Sequence, residues 1–340
     1  MMELKDRIKA LAFLGEEILN NGDWLEPSIA RAYHENKWFT PENSRKALEA
    51  IANQFLQENI LESWISDYDL SQNEGGRKVG LVLAGNIPLV GFHDVMSTFI
   101  SGNIALIKCS SKDEVLMKAV IEQLTSAFPE AASYFEFSDK LVGFDAVIAT
   151  GSNNSSRYFE QYFGKYPHII RKNRNAIGIL DGSESKDDFL ALGEDIFNYF
   201  GLGCRNVSKI YVPRDYEFDA LLGVLHDSYK EVIHHNKYKN NFDYNNALFL
   251  LNKVDFFMSG SLIVTASKEI ASRIATLHYE EYDNLDELSN ELTEVEDQIQ
   301  CIVGKAVLAD KKTFAFGQAQ KPAIDDYADG VDTLEFLTTL

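Results

Sequence analysis

The sequence predicts an α/β protein built on parallel, doubly wound sheets. Two patterns carry that expectation. Short apolar runs of strand length recur along the chain, and segments with helical spacing separate them. Length is the third observation: 340 residues exceed one ordinary domain and suit two. Leu4, Ile8, Leu11, Leu14 and Ile18 recur at helical spacing and predict a helical lead-in over residues 3–20. Thr40 followed by Pro41 reads as a cap with proline at the first helical position, opening a helix to about Trp64. Near Lys78 the pattern changes. Residues 78–84, 104–109 and 145–150 read as buried strands, with helices at about 92–101, 112–127 and 153–163 between and after them. Strands follow at about 176–181, 207–213, 261–265 and 298–303, with helices at 185–200 and 215–230. The polar stretch 234–246 reads as a loop. Its His234-His235 pair has no accompanying ligand pattern and reads as solvated rather than metal-binding. The expected division of the chain is 1–183 and 184–340.

Charge and cysteine usage exclude several classes. A formal net charge of -20 and a pI near 4.7 repel nucleic acid and anionic membranes, but leave room for an anionic small molecule in a local basic pocket. No run of about 18 apolar residues suggests a membrane span. The first residues lack the basic head and long apolar core of a secretory signal. Cys109, Cys204 and Cys301 are odd in number and widely spaced, which argues against a disulfide framework or a thiolate zinc site. The expected location is a reducing cytoplasm, and no metal is expected.

The strand ends hold the candidate residues, because ligands of open parallel sheets bind beyond the carboxyl ends of the strands. The first end reads Ala84-Gly85-Asn86-Ile87-Pro88 and the second Ile107-Lys108-Cys109-Ser110-Ser111. The third, Thr150-Gly151-Ser152-Asn153, puts glycine and hydroxyls where a strand enters a helix, which suits a phosphate. A complete G-x-G-x-x-G fingerprint is absent. Each segment also has an ordinary structural reading, with Gly85 and Gly151 as turn formers and Ser110 and Ser152 as caps. Cys204 stands apart. In Phe200-Gly201-Leu202-Gly203-Cys204-Arg205-Asn206 it follows two glycines between a helix and a strand. Backbone amides lie beside it and little bulk hides it, as a nucleophilic thiolate requires, and Arg205 is a candidate to lower its pKa.

Taken in order, these segments resemble the aldehyde dehydrogenase superfamily, and most closely its LuxC-type acyl-CoA reductase branch. Gly85-Asn86-Ile87-Pro88 is similar to that superfamily's Asn-containing loop, and residues 101–108 to its Gly-Asn strand ending in lysine. Thr150-Gly151-Ser152 is similar to its Thr-Gly-Ser turn, and Gly201 to Cys204 to its nucleophile segment. Tyr327-Ala328-Asp329-Gly330-Val331-Asp332-Thr333 resembles the acyl-CoA reductase branch in particular. The resemblance implies an aldehyde-dehydrogenase-like fold with two Rossmann-like doubly wound domains. Residues 1–183 would form the lead-in plus the NAD(P)-binding domain, and 184–340 the catalytic domain with its C-terminal return segment. It implies that Cys204 forms an acyl-enzyme thioester and that the Asn86 amide, with the Cys204 N–H, holds the oxyanion. Such donors each contribute roughly 3 kcal/mol. It further implies that Lys108 binds the adenosine ribose and that Gly151 and Ser152 meet the pyrophosphate.

The departures refine the expectation. Hydrolytic members carry a water-activating glutamate in a segment whose counterpart here, residues 169–176, holds no acid. Thiol exchange with coenzyme A is therefore expected over oxidation to a free acid. Arg171, Lys172 and Arg174 in this stretch either attract phosphates or solvate a turn. Ser111 and Lys112 stand where NAD-preferring members place a glutamate, which favours NADPH while leaving NAD open. The glutamate that contacts the nicotinamide ribose has no clear counterpart, although Glu280 and Glu281 lie nearby. The usual oligomerisation hairpin has none between Pro88 and Gly102. Phe256-Phe257-Met258 reads as core packing before it reads as an acyl channel. The expected function is NADPH-dependent reduction of an acyl-CoA, or another acyl thioester, to an aldehyde. An acyl-phosphate reductase, a hydrolytic aldehyde dehydrogenase and a non-catalytic scaffold that binds acyl groups or a partner are the alternatives. A homodimer or an acyl-transfer partner protein stays open.

Overall fold

The computed structural model describes residues 2–70, 76–306, 308 and 311–340. The chain divides into two compact units. One takes the chain up to Asn173 together with Pro322–Leu340, and the other takes Arg174–Lys321. The observed boundary thus lies ten residues before the expected 183/184, and the last segment belongs to the first unit. The shift has a simple cause: the strand beginning at Asn175 pairs with strands of the second unit, not of the first.

The first unit opens with α1 (Leu4–Leu19), α2 (Leu25–Glu35), α3 (Pro41–Gln54) and α4 (Glu58–Ile65). The apolar stripe of α1 buries Ile8, Leu11, Leu14 and Ile18, as its spacing predicts. Thr40 caps α3, accepting the Asn43 N–H at 3.2 Å, with Pro41 in the first turn. The single helix expected to Trp64 is broken at residues 55–57. Leu56 turns inward there, 1% exposed, and packs so closely on Gly15 that a Cβ at Gly15 would sit 2.8 Å from Leu56 Cβ. Helix α2 was not expected.

Next come β1 (Lys78–Val82), α5 (Phe92–Ile100), β2 (Ile104–Lys108), α6 (Val115–Ala127), β3 (Phe135–Phe137), β4 (Ala146–Thr150), α7 (Asn153–Phe163) and β5 (His168–Arg171). Among the described residues the sheet is parallel throughout, in the order β3-β2-β1-β4-β5. The chain fills one side of β1 and then crosses to the other. The switch point therefore falls between β1 and β4.

The second unit contains β6 (Asn175–Ile179), α8 (Lys186–Phe197), β7 (Val207–Pro213), α9 (Asp219–Tyr229), α10 (Asn236–Asn252), β8 (Phe257–Met258) and β9 (Ile263–Ala266). It continues with β10 (Thr276–Tyr282), α11 (Leu285–Glu294), β11 (Ile299–Gly304) and β12 (Thr313–Phe314). Its sheet runs β12-β11-β6-β7-β10-β9-β8, with only the β8–β9 pair antiparallel among those described. The chain then returns to the first unit, where α12 (Thr333–Thr338) buries Leu334 and Leu337 completely.

Three expectations in the second unit are corrected. Residues 236–252 are a helix, not a loop. Tyr238, Phe242 and Asn245 form its buried stripe, and Asn245 and Tyr238 bond the Ile274 and Ser261 carbonyls. His235 caps that helix, its Nδ1 accepting the Tyr238 N–H. Phe257 and Met258 lie on the sheet's edge, 43% and 47% exposed, rather than in the core. Strand β10 and helix α11 were unexpected. The polar run of β10 fits a sheet because Glu280 meets Lys209, which is 0% exposed, at 2.6 Å.

Candidate active site

In the first unit the structure aligns the three expected strand ends. Val82 is in register with Lys108 on one side and Ala149 on the other, so β1, β2 and β4 finish at one level. The Asn86 loop, Lys108 and the Gly151-Ser152 turn leave from that edge, and Asn86 and Ser152 follow the two strands that flank the switch point. Lys108 is exposed, and among the described residues no ion pair engages it. At Gly151 a Cβ would lie 2.8 Å from the Phe159 ring and 2.9 Å from Ser155 Cβ, so only glycine fits. Ser152 caps α7 by accepting the Ser155 N–H at 3.2 Å, and its hydroxyl also meets that of Ser155 at 3.0 Å. This is the structural role foreseen for Ser152. It leaves an eleven-residue helix with its positive end beside a glycine cradle, which suits a phosphate group.

The Asn86 loop is moulded on the turn that follows β2. Asp113 accepts the Leu89 N–H at 2.6 Å, and Leu89 is left-handed with φ of 57°. Gly85 packs against Ser110, where a Cβ would fall 2.5 Å from the hydroxyl. Burial pushes the Asp113 carboxyl up to about 7 against the opposing pull of the Leu89 amide. Ser111 and Lys112 are exposed on the same turn.

Arg171 is not free for a phosphate. It is 5% exposed, grips Asp94 with Nη1 at 2.7 and 2.8 Å, and donates from Nη2 to Thr333 at 2.7 Å. Arg174 donates to the Glu296 and Ile299 carbonyls of the second unit, and Lys172 is exposed. The C-terminal motif is pinned at both ends. Tyr327 accepts the Trp64 indole N–H at 2.7 Å, Tyr68 donates to Asp332 at 2.7 Å, and Thr333 takes the Arg171 bond.

In the second unit Cys204 occupies a locked turn. The Asn206 N–H donates to the Gly203 carbonyl at 3.1 Å, and the Gly203 N–H donates to Asn206 Oδ1 at 2.8 Å. Cys204 is half-buried between them. The Asn206 amide also donates to the Asp195 and Asn198 carbonyls at 2.9 and 2.8 Å, filling orphan acceptors at the end of α8. The approach to the turn is unusual. Tyr199, Phe200 and Gly201 are all left-handed, with φ of 52°, 60° and 73°. Two non-glycine residues in that region cost about 1 kcal/mol or more each. Phe200 is braced by the His235 ring at 4.2 Å, so the misread loop contributes a support to the cysteine segment.

Arg205 turns to the segment after β12, donating from Nε to the Ala319 carbonyl at 2.5 Å. Asp195 accepts the Gly317 and Ala319 N–H groups at 2.6 and 3.0 Å, and burial pushes its carboxyl up to about 7. Ala319 is therefore held through both its backbone N–H and its carbonyl. Neither Asp195 nor Asn206 was singled out from sequence. The signal available was their polarity inside buried stretches. Of the other cysteines, Cys301 is buried in β11, and burial beside Asp113 and Glu114 pushes Cys109 up to about 12. Glu280, weighed for the ribose role, is committed to Lys209.

Two parallel-sheet units, one with a strand-end cradle and one with a cysteine turn, define a protein with the aldehyde dehydrogenase fold. Aldehyde dehydrogenase 21 from Physcomitrella patens matches with a TM-score of 0.70 at 13% identity, over 99% of this chain and 84% of that one. An oxidoreductase from Marinobacter aquaeolei matches with a TM-score of 0.68 at 10% identity, over 95% and 79%. Within that fold the chain belongs to the LuxC family: the family model for acyl-CoA reductase (LuxC) matches residues 17–220. Long-chain acyl-protein thioester reductase 2 of Photobacterium leiognathi is 23% identical over 262 residues. That match takes in 71% of this chain and 51% of the relative, so the chain spans about half the length of the relative. No helix among the described residues is long and apolar enough to cross a membrane.

Proposed function

We propose that this protein reduces a long-chain acyl thioester to the aldehyde through a covalent intermediate on Cys204. The observation that carries the reading is the doubly locked Gly203–Asn206 turn, which gives the half-buried Cys204 a fixed place. The Cys204 thiolate attacks the acyl carbonyl, the Sγ–C bond forms, and the donor thiol leaves. Asn86 and the Cys204 N–H are the proposed oxyanion donors in that step. Reduction at the same carbon yields a thiohemiacetal, which collapses to aldehyde and restores the thiolate. No acid lies in residues 169–176 to direct water at the thioester.

A nicotinamide cofactor supplies the hydride when bound. Lys108 is proposed for its adenosine ribose, and Gly151 and Ser152 for its pyrophosphate. The glycine-only cradle at the head of α7 supports that placement. NADPH is proposed over NADH because Ser111 and Lys112 present a hydroxyl and a cation where a 2'-phosphate would lie. Comparing kcat/KM for the two cofactors checks this, and a strong NADH preference would overturn it.

The donor is proposed to be acyl-CoA. The name of the Photobacterium relative favours an acyl-protein as the second reading. Purified protein given a long-chain acyl-CoA and NADPH is expected to consume NADPH, release aldehyde and carry an acyl adduct on Cys204. Absence of both turnover and adduct removes acyl-CoA. If an acylated protein then restores them, the second reading stands. If Cys204→Ala keeps wild-type turnover, the covalent mechanism fails.

A further inference from the structure

We propose that Asp113 is a positioning residue for Asn86, tying the turn after β2 to the loop after β1. The proposal rests on the oxyanion role given to Asn86 above. Asp113 is 4% exposed, and its Oδ2 accepts the Leu89 N–H at 2.6 Å. Leu89 lies three residues beyond Asn86 with φ of 57°, a conformation that an apolar side chain rarely adopts unless its surroundings hold it. At the other end of the loop, Gly85 presses on the same turn. A Cβ there would sit 2.5 Å from Ser110 Oγ and 3.3 Å from Asp113 Cβ. Asn86 therefore stands between two anchor points on one turn, with Gly85 held by close contact and Leu89 by a hydrogen bond.

The turn does not need the Asp113 side chain for itself. It closes through the Asp113 N–H on the Ser110 carbonyl at 3.0 Å and the Lys112 N–H on the Ser110 hydroxyl at 3.3 Å. The Asp113 carboxyl instead reaches out of its own element to Leu89. Its other oxygen, Oδ1, is buried with no hydrogen-bond partner among the described residues. A buried carboxyl with only one of its oxygens engaged is costly, and a role in a neighbouring loop explains why the residue is there. Asp113 touches no reacting atom on this account. It acts by keeping the Asn86 backbone in one place.

The test is a double-mutant cycle read in two ways. Turnover of a long-chain acyl-CoA with NADPH is measured for D113A, D113N, N86A and N86A/D113A, and amide exchange of the 85–91 segment is followed by mass spectrometry. D113A is expected to lower kcat about tenfold while KM moves less than about twofold. D113N keeps an acceptor for Leu89 and is expected within about threefold of wild type. In the N86A background, D113A is expected to cost less than about twofold, because the group it positions is gone. Exchange over 85–91 is expected to quicken in D113A and not in D113N.

Should D113A not fold, D113V fills part of the space without any hydrogen-bond acceptor and carries the same comparison. An equal loss in both backgrounds, or D113N as poor as D113A, overturns the proposal. So does wild-type kcat in D113A while N86A is impaired. Wild-type kcat in N86A itself overturns the oxyanion role instead and removes the reason for the positioning.

Discussion

The two units present their candidate residues in opposite ways. In the first, Asn86, Lys108 and Ser152 leave the carboxyl ends of parallel strands that finish in register. In the second, Cys204 precedes β7 and so lies at the strand's amino end, on a turn held by side chains. The first arrangement uses a general property of the fold: strand ends and helix starts expose amides, and short loops suffice. The second has no such support from the sheet. It depends on Asn206, on the left-handed run 199–201 and on a brace from His235. A scaffold-given site tolerates changes near it better than a side-chain-given one.

That contrast can be broken most directly at the cysteine. Cys204→Ala is expected to abolish turnover and the acyl adduct while leaving NADPH binding intact, as mass spectrometry and fluorescence titration would report. The next largest effect is expected for Asn86→Ala, a loss of roughly a hundredfold in kcat with cofactor affinity kept. Asn206→Ala sharpens the comparison. Its buried amide serves Gly203 and two carbonyls, so about 2–4 kcal/mol of stability is expected to go, together with a slower reaction of Cys204 with iodoacetamide. An unchanged melting temperature and alkylation rate would show that the turn holds without it. Lys108→Ala, at the scaffold-given edge, is expected to weaken NADPH binding roughly tenfold, or about 1.4 kcal/mol, without altering the melting temperature.

The last prediction concerns pH. The Asp113 carboxyl titrates near 7 in the fold and near 3.8 when unfolded, so the folded state holds its proton longer. The contribution of this carboxyl to stability therefore falls as pH rises from about 4 to about 7, by at most roughly 4 kcal/mol, and then levels. Asp113→Asn removes this contribution, while the Asp195 carboxyl keeps its own. The variant's advantage in melting temperature is expected to be larger at pH 8 than at pH 5. An equal difference at both values would place the titration elsewhere.

The first unit was the more legible of the two in the sequence, for a physical reason. Its three central strands β2, β1 and β4 are apolar runs ending in small or polar residues, whereas the edge strands β3 and β5 are short and mixed and were not expected; Ser152 and Thr40 are caps whose partners lie three residues away. Local chemistry reports such features. The misreadings came where distant residues decide the outcome. Helix α10 looks like a loop because its asparagines and lysines dominate the composition. Its helix is settled by the buried stripe of Tyr238, Phe242 and Asn245, with Tyr238 and Asn245 bonding the Ser261 and Ile274 carbonyls. Strand β10 looks too polar until Lys209 is found beneath Glu280. Arg171 looked like a surface cation because Asp94 and Thr333, its partners, are 77 and 162 residues away. Cys204 was legible as a candidate, but its support from Asn206 and His235 was not, since neither matches a motif.

The return of residues 322–340 to the first unit has a consequence for how the protein is made. Leu334 and Leu337, both fully buried, complete a core that includes Leu11, Leu14 and Phe99, residues translated hundreds of codons earlier. On the ribosome the first unit must wait, with that apolar surface unsealed, while every residue of the second is synthesised. The second unit is encoded without interruption and can mature first. The half of the molecule that starts earlier is thus the half that finishes later.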